Sequence, residues 1–184
     1  MEPFDGTNSS VDLSAHLDRL KLTNPEVIFI LSDSTLYYEA LKIAKDVLNI
    51  NAIFALNDIP DAKSLNDSIF DNVYVILPFY ERKEKFLNST FFKTYTLKFG
   101  IEPDLYSALG YDEIVLLYEI LYNNKLNAID KNLISVLKGV KFNKDKFNTS
   151  FMGFDEKGLA KKPIDILKIS EGNIIYSGEF LMDN

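Results

Sequence analysis

The sequence Val27-Ile28-Phe29-Ile30-Leu31 decides the fold class, because it is a short, wholly apolar run rich in β-branched residues. Such a run is typical of a strand that is covered on both faces in a parallel sheet. Two similar runs follow at residues 52–56 and 73–77. The spacing of apolar residues from Leu36 to Leu48 predicts a helix between the first two runs, and a short helix is expected near residues 61–66. Strand, helix, strand, helix, strand is a βαβ pattern, which predicts a parallel sheet with right-handed crossovers.

The flanking sequence adds helices and a terminal hairpin to this βαβ pattern. A helix is predicted over residues 10–21, and three more after Pro78, over residues 84–99, from Pro103 to about residue 123, and over residues 129–140. Apolar and polar side chains alternate over residues 164–169, and the apolar residues 174–176 follow the short loop Glu171-Gly172-Asn173. This pattern predicts a β-hairpin. The expected fold class is α/β: a three-layer parallel βαβ lobe, a further group of helices and a C-terminal β-hairpin.

Composition excludes several function classes. The chain has 184 residues, 20 basic and 27 acidic side chains, a net charge of −7 and 47% apolar residues. This apolar content excludes intrinsic disorder, and the acidic balance argues against nucleic-acid binding. Without cysteine, and with His16 as the one histidine, thiol nucleophiles and multi-histidine metal sites are excluded. We expect no enzyme, no catalytic residues, no cofactor and no metal site.

Two polar loops follow predicted strands, and ligands of open parallel sheets bind at the carboxyl ends of strands. The first loop runs from Ser32 to Thr35 and includes Ser34. Its hydroxyls either bind an anionic group with the helix N-terminus or only cap the helix. The second loop holds Asn57 and Asp58. Asp58 either pairs with an ammonium group or forms a turn with Asn57.

Several motifs together resemble one protein family. Residues 103–113, Pro-Asp-Leu-Tyr-Ser-Ala-Leu-Gly-Tyr-Asp-Glu, resemble a helix signature of type 1 periplasmic solute-binding proteins of the leucine/isoleucine/valine-binding type. Residues 154–158, Phe-Asp-Glu-Lys-Gly, followed by an apolar strand and Glu171-Gly172-Asn173, resemble the end of that family's sequence. Residues 12–20, 24–30 and 71–79 lie in the family's order and spacing.

The resemblance covers nearly the whole chain but implies only the later half of such a protein. It implies that residues 1–79 form most of the second lobe, that residues 80–158 are helices of the first lobe, and that residues 159–184 return to the second lobe. Pro78 and Phe79 would be a hinge. The implied ligand-binding residues are Ser32, Ser34, Thr35, Asn57 and Asp58, with Asp58 as the ammonium partner. The family's acid usually lies between glycines, whereas Leu56, Asn57 and Ile59 surround Asp58.

The resemblance implies a non-enzymatic function, in which two lobes close on a small polar solute such as an amino acid for ABC-type uptake. It implies an extracytoplasmic location and an ABC permease as a partner, although the N-terminus shows no signal-peptide pattern. No apolar run is long enough to span a membrane. The alternative is a ligand-free interaction or sensor ectodomain of the same fold, which associates as a homodimer through an exposed half-core.

Overall fold

The computed structural model describes residues 13–32, 34–123, 137 and 142–181. Two predicted helical segments lie outside these residues. One is the helix predicted over residues 129–140, of which only residue 137 is described, and the other is the start of the helix predicted from residue 10. The α-helices are α1 Leu13–Leu22, α2 Ser34–Lys42, α3 Glu84–Leu87, α4 Thr90–Phe99 and α5 Leu105–Tyr118. The strands are β1 Val27–Ile30, β2 Ile53–Leu56, β3 Tyr74–Leu77, β4 Gly153–Phe154, β5 Ala160–Lys161, β6 Ile164–Ser170 and β7 Asn173–Phe180.

Shorter helical turns fill the connections. A π-helical turn, Ile43–Val47, continues α2, and a second, Glu119–Asn123, continues α5. Single 3₁₀ turns lie at Ser64–Asn66, Ser68–Phe70 and Lys144–Lys146. The predicted short helix near residues 61–66 therefore forms only a 3₁₀ turn at its end.

The chain divides into two compact units. Unit 1 consists of Met1–Leu77 and Ile166–Gly178, and unit 2 of Pro78–Asp165 and Glu179–Asn184. The chain therefore passes from one unit to the other three times, after Leu77, after Asp165 and after Gly178.

A mixed sheet forms the centre of the α/β fold, in the strand order β1-β2-β3-β6-β7. β1 pairs with β2 in parallel, from Val27 opposite Ile53 to Ile30 opposite Leu56, and β2 pairs with β3 in parallel. The interior of unit 1 is built from apolar side chains of these strands, of α2 and of the residues that adjoin them. Fully buried members are Leu41, Ala44, Leu56, Val73, Val75, Leu167 and Ile169. The predicted α/β class with a mostly parallel sheet is confirmed.

The prediction that β1 is covered on both faces is wrong. Ile28 is buried, whereas 43% of Val27 and 57% of Phe29 are exposed. Ile53, opposite Val27 on β2, is also half exposed. β1 lies at the edge of the sheet, and the described residues of unit 1 cover only its Ile28 face. A wholly apolar run shows that a strand suits burial, but not how many faces are covered.

β6 and β7 form the predicted hairpin around the turn residues Glu171 and Gly172. Both residues have positive φ, 50° and 74° respectively. A Cβ atom on Gly172 would lie 2.8 Å from Asn66 Oδ1, the end of a side chain that would have to shift, so the positive φ is the main reason for glycine here. The Glu171 N–H donates to Asp71 Oδ1 at 2.7 Å, which attaches the turn to the segment before β3.

Unit 2 is mainly helical, around the buried residues Phe79, Phe86 and Ala108. The single helix predicted over residues 84–99 is divided into α3 and α4. Ser89 has an extended backbone, and its side chain accepts the Phe92 N–H as the N-cap of α4. Gly100, with φ of 71°, ends that helix.

The helix predicted to contain Pro103 in its first turn begins two residues later. Asp104 is the N-cap of α5, because its side chain accepts the N–H of Ser107 at 2.8 Å. Pro103 therefore precedes the cap.

Candidate ligand-binding site

The loops after β1 and β2 are joined directly in unit 1. Asn57, the first residue after β2, accepts the backbone N–H of Ser32 through its Oδ1 at 2.9 Å. Because β1 and β2 are parallel neighbours, both loops lie at the carboxyl end of the sheet. The structure therefore brings Ser32 and Asn57 together.

Tyr37 completes this contact from the first turns of α2. Its hydroxyl lies 2.7 Å from the carbonyl oxygen of Ser32 and 2.9 Å from Asn57 Oδ1, and its side chain is fully buried. Sequence reasoning missed Tyr37. The available signal is that a tyrosine inside a buried helix face needs a polar partner for its hydroxyl, and the nearest loops supply one.

Asp58 lies beside this junction and is exposed. Its Oδ1 accepts the N–H of Ile59 at 2.8 Å, which is the turn-forming role weighed from the sequence. Among the residues that the structure describes, Asp58 Oδ2 has no polar partner. The Asp58 carboxylate thus orders its own loop through Oδ1 and lies at the protein surface.

Ser34 and Thr35 lie in the first turn of α2, which begins at Ser34. This places their backbone at the helix N-terminus that follows the Ser32 loop. Residue 33, between them and Ser32, is outside the described part of the chain.

Pro78 and Phe79, the predicted hinge, stand where the chain leaves unit 1. Phe79 is buried in unit 2, where its ring meets Phe86 edge-on with centroids 4.9 Å apart. The Lys83 ammonium lies 4.8 Å from the Phe79 ring centroid. Phe79 is thus fixed within unit 2 immediately after the crossing.

A buried ion pair lies at the same end of unit 2, and sequence reasoning missed it. Lys83 Nζ lies 2.9 Å from Asp165 Oδ2, with side chains 5% and 1% exposed. The Tyr80 N–H also donates to Asp165 Oδ2, at 2.6 Å. Burial lowers the pKa of nearby Lys162, and the charge of Lys83 lowers it further, while Asp112 and Asp165 act in the opposite direction.

Asp112, from the helix motif, has a structural role in unit 2. Its carboxylate accepts the backbone N–H groups of Asn148 and Thr149, each at 2.8 Å. It also accepts the Asn148 amide at 3.2 Å and the Thr149 hydroxyl at 2.7 Å. These four hydrogen bonds compensate the burial of its charge, so Asp112 orders the 142–150 segment rather than binding a solute.

Unit 2 also contains a small cleft of about 70 Å³ lined by residues such as Lys85, Ser89 and Asn148. Ligand pockets usually enclose roughly 300–1,000 Å³, so this cleft is suited to water rather than to a solute. None of the predicted ligand-binding residues lines it. Within the described ranges, no three histidine or acidic side chains cluster as metal ligands.

Several solved structures similar to this chain are ligand-binding proteins, and some of them are described as solute-binding proteins of ABC transporters. The leucine-, isoleucine-, valine-, threonine- and alanine-binding protein from Brucella ovis is 18% identical with a TM-score of 0.66, and the match covers 98% of this chain and 50% of that one. A leucine-binding protein from Thermotoga maritima is 19% identical with a TM-score of 0.61, over 97% and 50% of the two chains.

A third similar structure is a solute-binding protein from Rhodopseudomonas palustris, in complex with 3,4-dihydroxybenzoic acid. It is 22% identical with a TM-score of 0.54, over 94% of this chain and 50% of that one. No protein-family model and no curated protein matches the sequence.

The chain spans about half the length of these solved structures. At such identities the likeness establishes the fold: the chain has the fold of part of a type 1 solute-binding protein, as the sequence motifs predicted. Among the described residues, no helix is both long and apolar enough to cross a membrane.

Proposed function

We propose that this chain is the later half of an extracytoplasmic solute-binding protein for ABC-type uptake, with a binding rather than a catalytic role. The observation that carries the proposal is the hydrogen bond from the Ser32 N–H to Asn57 Oδ1. It holds two loops together at the carboxyl ends of adjacent parallel strands, where ligands of such sheets bind. The similar structures are solute-binding proteins.

The proposed ligand is a small polar solute with an ammonium group, such as an amino acid. Asp58 Oδ2 would accept the ammonium, as a charge-assisted hydrogen bond. The hydroxyls of Ser32, Ser34 and Thr35 would hold the solute's polar groups, with the N-terminus of α2 favouring a carboxylate. Two of the similar proteins are described as binding leucine, which supports an amino acid as the first probe.

The proposed mechanism is closure of two lobes about a hinge at Pro78 and Phe79, with a permease as the downstream partner. The burial of Phe79 immediately after the crossing supports a hinge here, because motion is then confined to the few residues at the crossing.

The site is tested by titrating the ¹⁵N-labelled chain with a mixture of amino acids at millimolar concentration. We expect shifts of the amide signals of Ser32, Asn57 and Asp58, since millimolar affinity suffices for detection by this method. If only amide signals of other residues shift, or if no amino acid shifts any signal, the proposed site is contradicted. Acids that lack the ammonium group serve as the control, because they preserve the shape of the ligand and delete the charge that Asp58 recognises.

A further inference from the structure

The carboxamide of Asn57 in unit 1 is held in one orientation by its neighbours. The backbone nitrogen of Ser32 lies 2.9 Å from Asn57 Oδ1, and the Tyr37 hydroxyl lies 2.9 Å from the same atom. Because a backbone N–H can only donate, the carboxamide atom that faces Ser32 is the oxygen and not the nitrogen. The opposite orientation would place two donors against each other. The N–H groups of Asn57 Nδ2 therefore lie on the other side of the carboxamide.

These N–H groups are donors at the protein surface. Asn57 is exposed, and none of the residues that the structure describes accepts a hydrogen bond from its Nδ2. The side chain follows the buried end of β2 at Leu56, at the edge of the sheet where ligands of parallel sheets bind. Ordering an exposed side chain costs conformational entropy, yet Asn57 is ordered by a tyrosine that is itself fully buried.

The junction between the two loops uses only the oxygen of this side chain. An aspartate at position 57 would accept the same Ser32 N–H, in a stronger charge-assisted hydrogen bond. Asparagine differs from aspartate in that Nδ2, a donor, replaces the second oxygen, an acceptor. The junction by itself therefore does not require the amide nitrogen, whereas recognition of an oxygen atom of a ligand does.

The same junction removes one backbone donor from the loop after β1. Backbone N–H groups at this edge of a parallel sheet commonly bind the oxygen atoms of anionic ligands. The Ser32 N–H instead donates to Asn57 Oδ1, so it is already used within the protein. Asn57 Nδ2 replaces it as a donor. Because Oδ1 accepts a hydrogen bond, the carboxamide is polarised and its N–H groups become stronger donors.

We propose that Asn57 Nδ2 donates to a carboxylate oxygen of the solute and thereby selects amino acids over simple amines. This inference rests on the proposed function and deepens it, since Asn57 receives a role of its own beside the ammonium partner Asp58. A donor and an acidic acceptor on consecutive residues match a solute that carries an oxygen acceptor beside its ammonium group. An α-amino acid has this arrangement, whereas an alkylamine has only the ammonium group.

The test compares leucine with 3-methylbutylamine, which is leucine without its carboxylate, by NMR titration of the ¹⁵N-labelled whole chain. Asn57→Asp keeps an oxygen for the Ser32 N–H and replaces the donors by a second, charged oxygen. The ratio of the dissociation constant for leucine to that for the amine should rise about tenfold or more above the wild-type ratio, as loss of a hydrogen bond to a charged group implies. Asn57→Ala, which lacks the donors but adds no charge, should raise the ratio several-fold.

The matched control is Asn51→Asp, which adds the same charge at an exposed residue before β2, at the opposite end of the strand. It should keep the wild-type ratio. An unchanged ratio in Asn57→Asp overturns this inference alone, because leucine then binds without the Asn57 donors. A rise in Asn57→Asp that Asn57→Ala does not share is an effect of charge and overturns it as well. If leucine shifts no signal of the wild type, the proposed amino-acid site fails, and this inference fails with it.

Discussion

Lys83 and Asp165 form an ion pair in the interior of unit 2, with 2.9 Å between Nζ and Oδ2, although 82 residues separate them in sequence. Asp165 is the last residue before the chain returns to unit 1, and Lys83 follows closely after the first crossing at Pro78. The pair therefore joins the two segments that enter and leave unit 2.

Removing one partner of the Lys83–Asp165 pair should lower the free energy of unfolding substantially. Asp165→Asn leaves the Lys83 ammonium buried with less compensation, and breaking a buried pair in this way typically costs about 3–5 kcal/mol. Urea denaturation of the variant and the wild type measures the difference in the free energy of unfolding. The control is Asp145→Asn in the Lys85–Asp145 pair, whose side chains are 52% and 69% exposed and which should lose less than about 1 kcal/mol. Equal losses in the two variants would contradict the assigned role.

Lys45 predicts a dependence of stability on pH. Its ammonium donates to the carbonyl oxygens of Ile69 and Asp71, at 2.6 and 3.1 Å. Burial lowers its pKa below the usual 10.5, while Asp71 and Asp46 oppose the shift. In the folded chain the proton is therefore lost at a lower pH than in the unfolded chain. Stability should rise as the pH increases through the folded pKa towards 10.5, because the unfolded state then binds more protons.

The measurement is the free energy of unfolding of the wild type minus that of Lys45→Met, at several pH values from 8 to 10.5. This difference in the free energy of unfolding should become more positive as the pH rises. A flat difference, or one that moves against the wild type, would contradict the account. The variant removes the titrating group while other alkaline effects stay common to both proteins.

A substitution at Ser150 should raise the stability of the chain. Its φ of 57° is unfavourable for a residue with a Cβ atom, and its buried hydroxyl has no hydrogen-bond partner in the described part of the chain. Ser150→Gly removes both penalties and should stabilise the chain by about 1 kcal/mol despite the entropy of glycine. Thermal melts of Ser150→Gly and Ser150→Ala separate the two causes, since alanine removes only the hydroxyl. A glycine variant less stable than the wild type would contradict this prediction.

Tyr37→Phe should lower stability by about 1 kcal/mol, because one hydroxyl hydrogen bond is lost while the Ser32 N–H retains Asn57. Asn57→Ala should cost more, since it removes both a partner of the buried Tyr37 hydroxyl and the partner of the Ser32 N–H. The order of the two losses in chemical denaturation is the prediction, and the reverse order would contradict the proposed loop junction.

The local elements of the fold can be predicted from the sequence, whereas most contacts between residues far apart in the sequence cannot. The strand segments and the hairpin at Glu171 and Gly172 follow from apolar runs and turn residues. The parallel order of the strands also places the loops that begin at Ser32 and Asn57 at one edge of the sheet, but the hydrogen bond between them was not predicted. The break at Ser89 escaped prediction because aromatic residues continue at helical spacing across it. The partner of Lys83 is set by packing between distant segments, and no local pattern marks it, whereas the position of Tyr37 on a buried helix face indicates that its hydroxyl needs a partner but not which one.

If the Asp58 carboxylate recognises the ammonium group of the ligand, its removal must weaken the binding of leucine. The most direct test is to measure the dissociation constant for leucine. It is measured by NMR titration of the wild type, Asp58→Asn and the control Glu26→Gln, whose acid precedes β1 at the opposite end of the strand. We predict that Asp58→Asn weakens leucine binding about three- to fivefold, as loss of an exposed ion pair implies. Glu26→Gln should bind as the wild type does, and 4-methylpentanoate should not distinguish Asp58→Asn from the wild type. Equal affinity of Asp58→Asn and the wild type for leucine would contradict the claim.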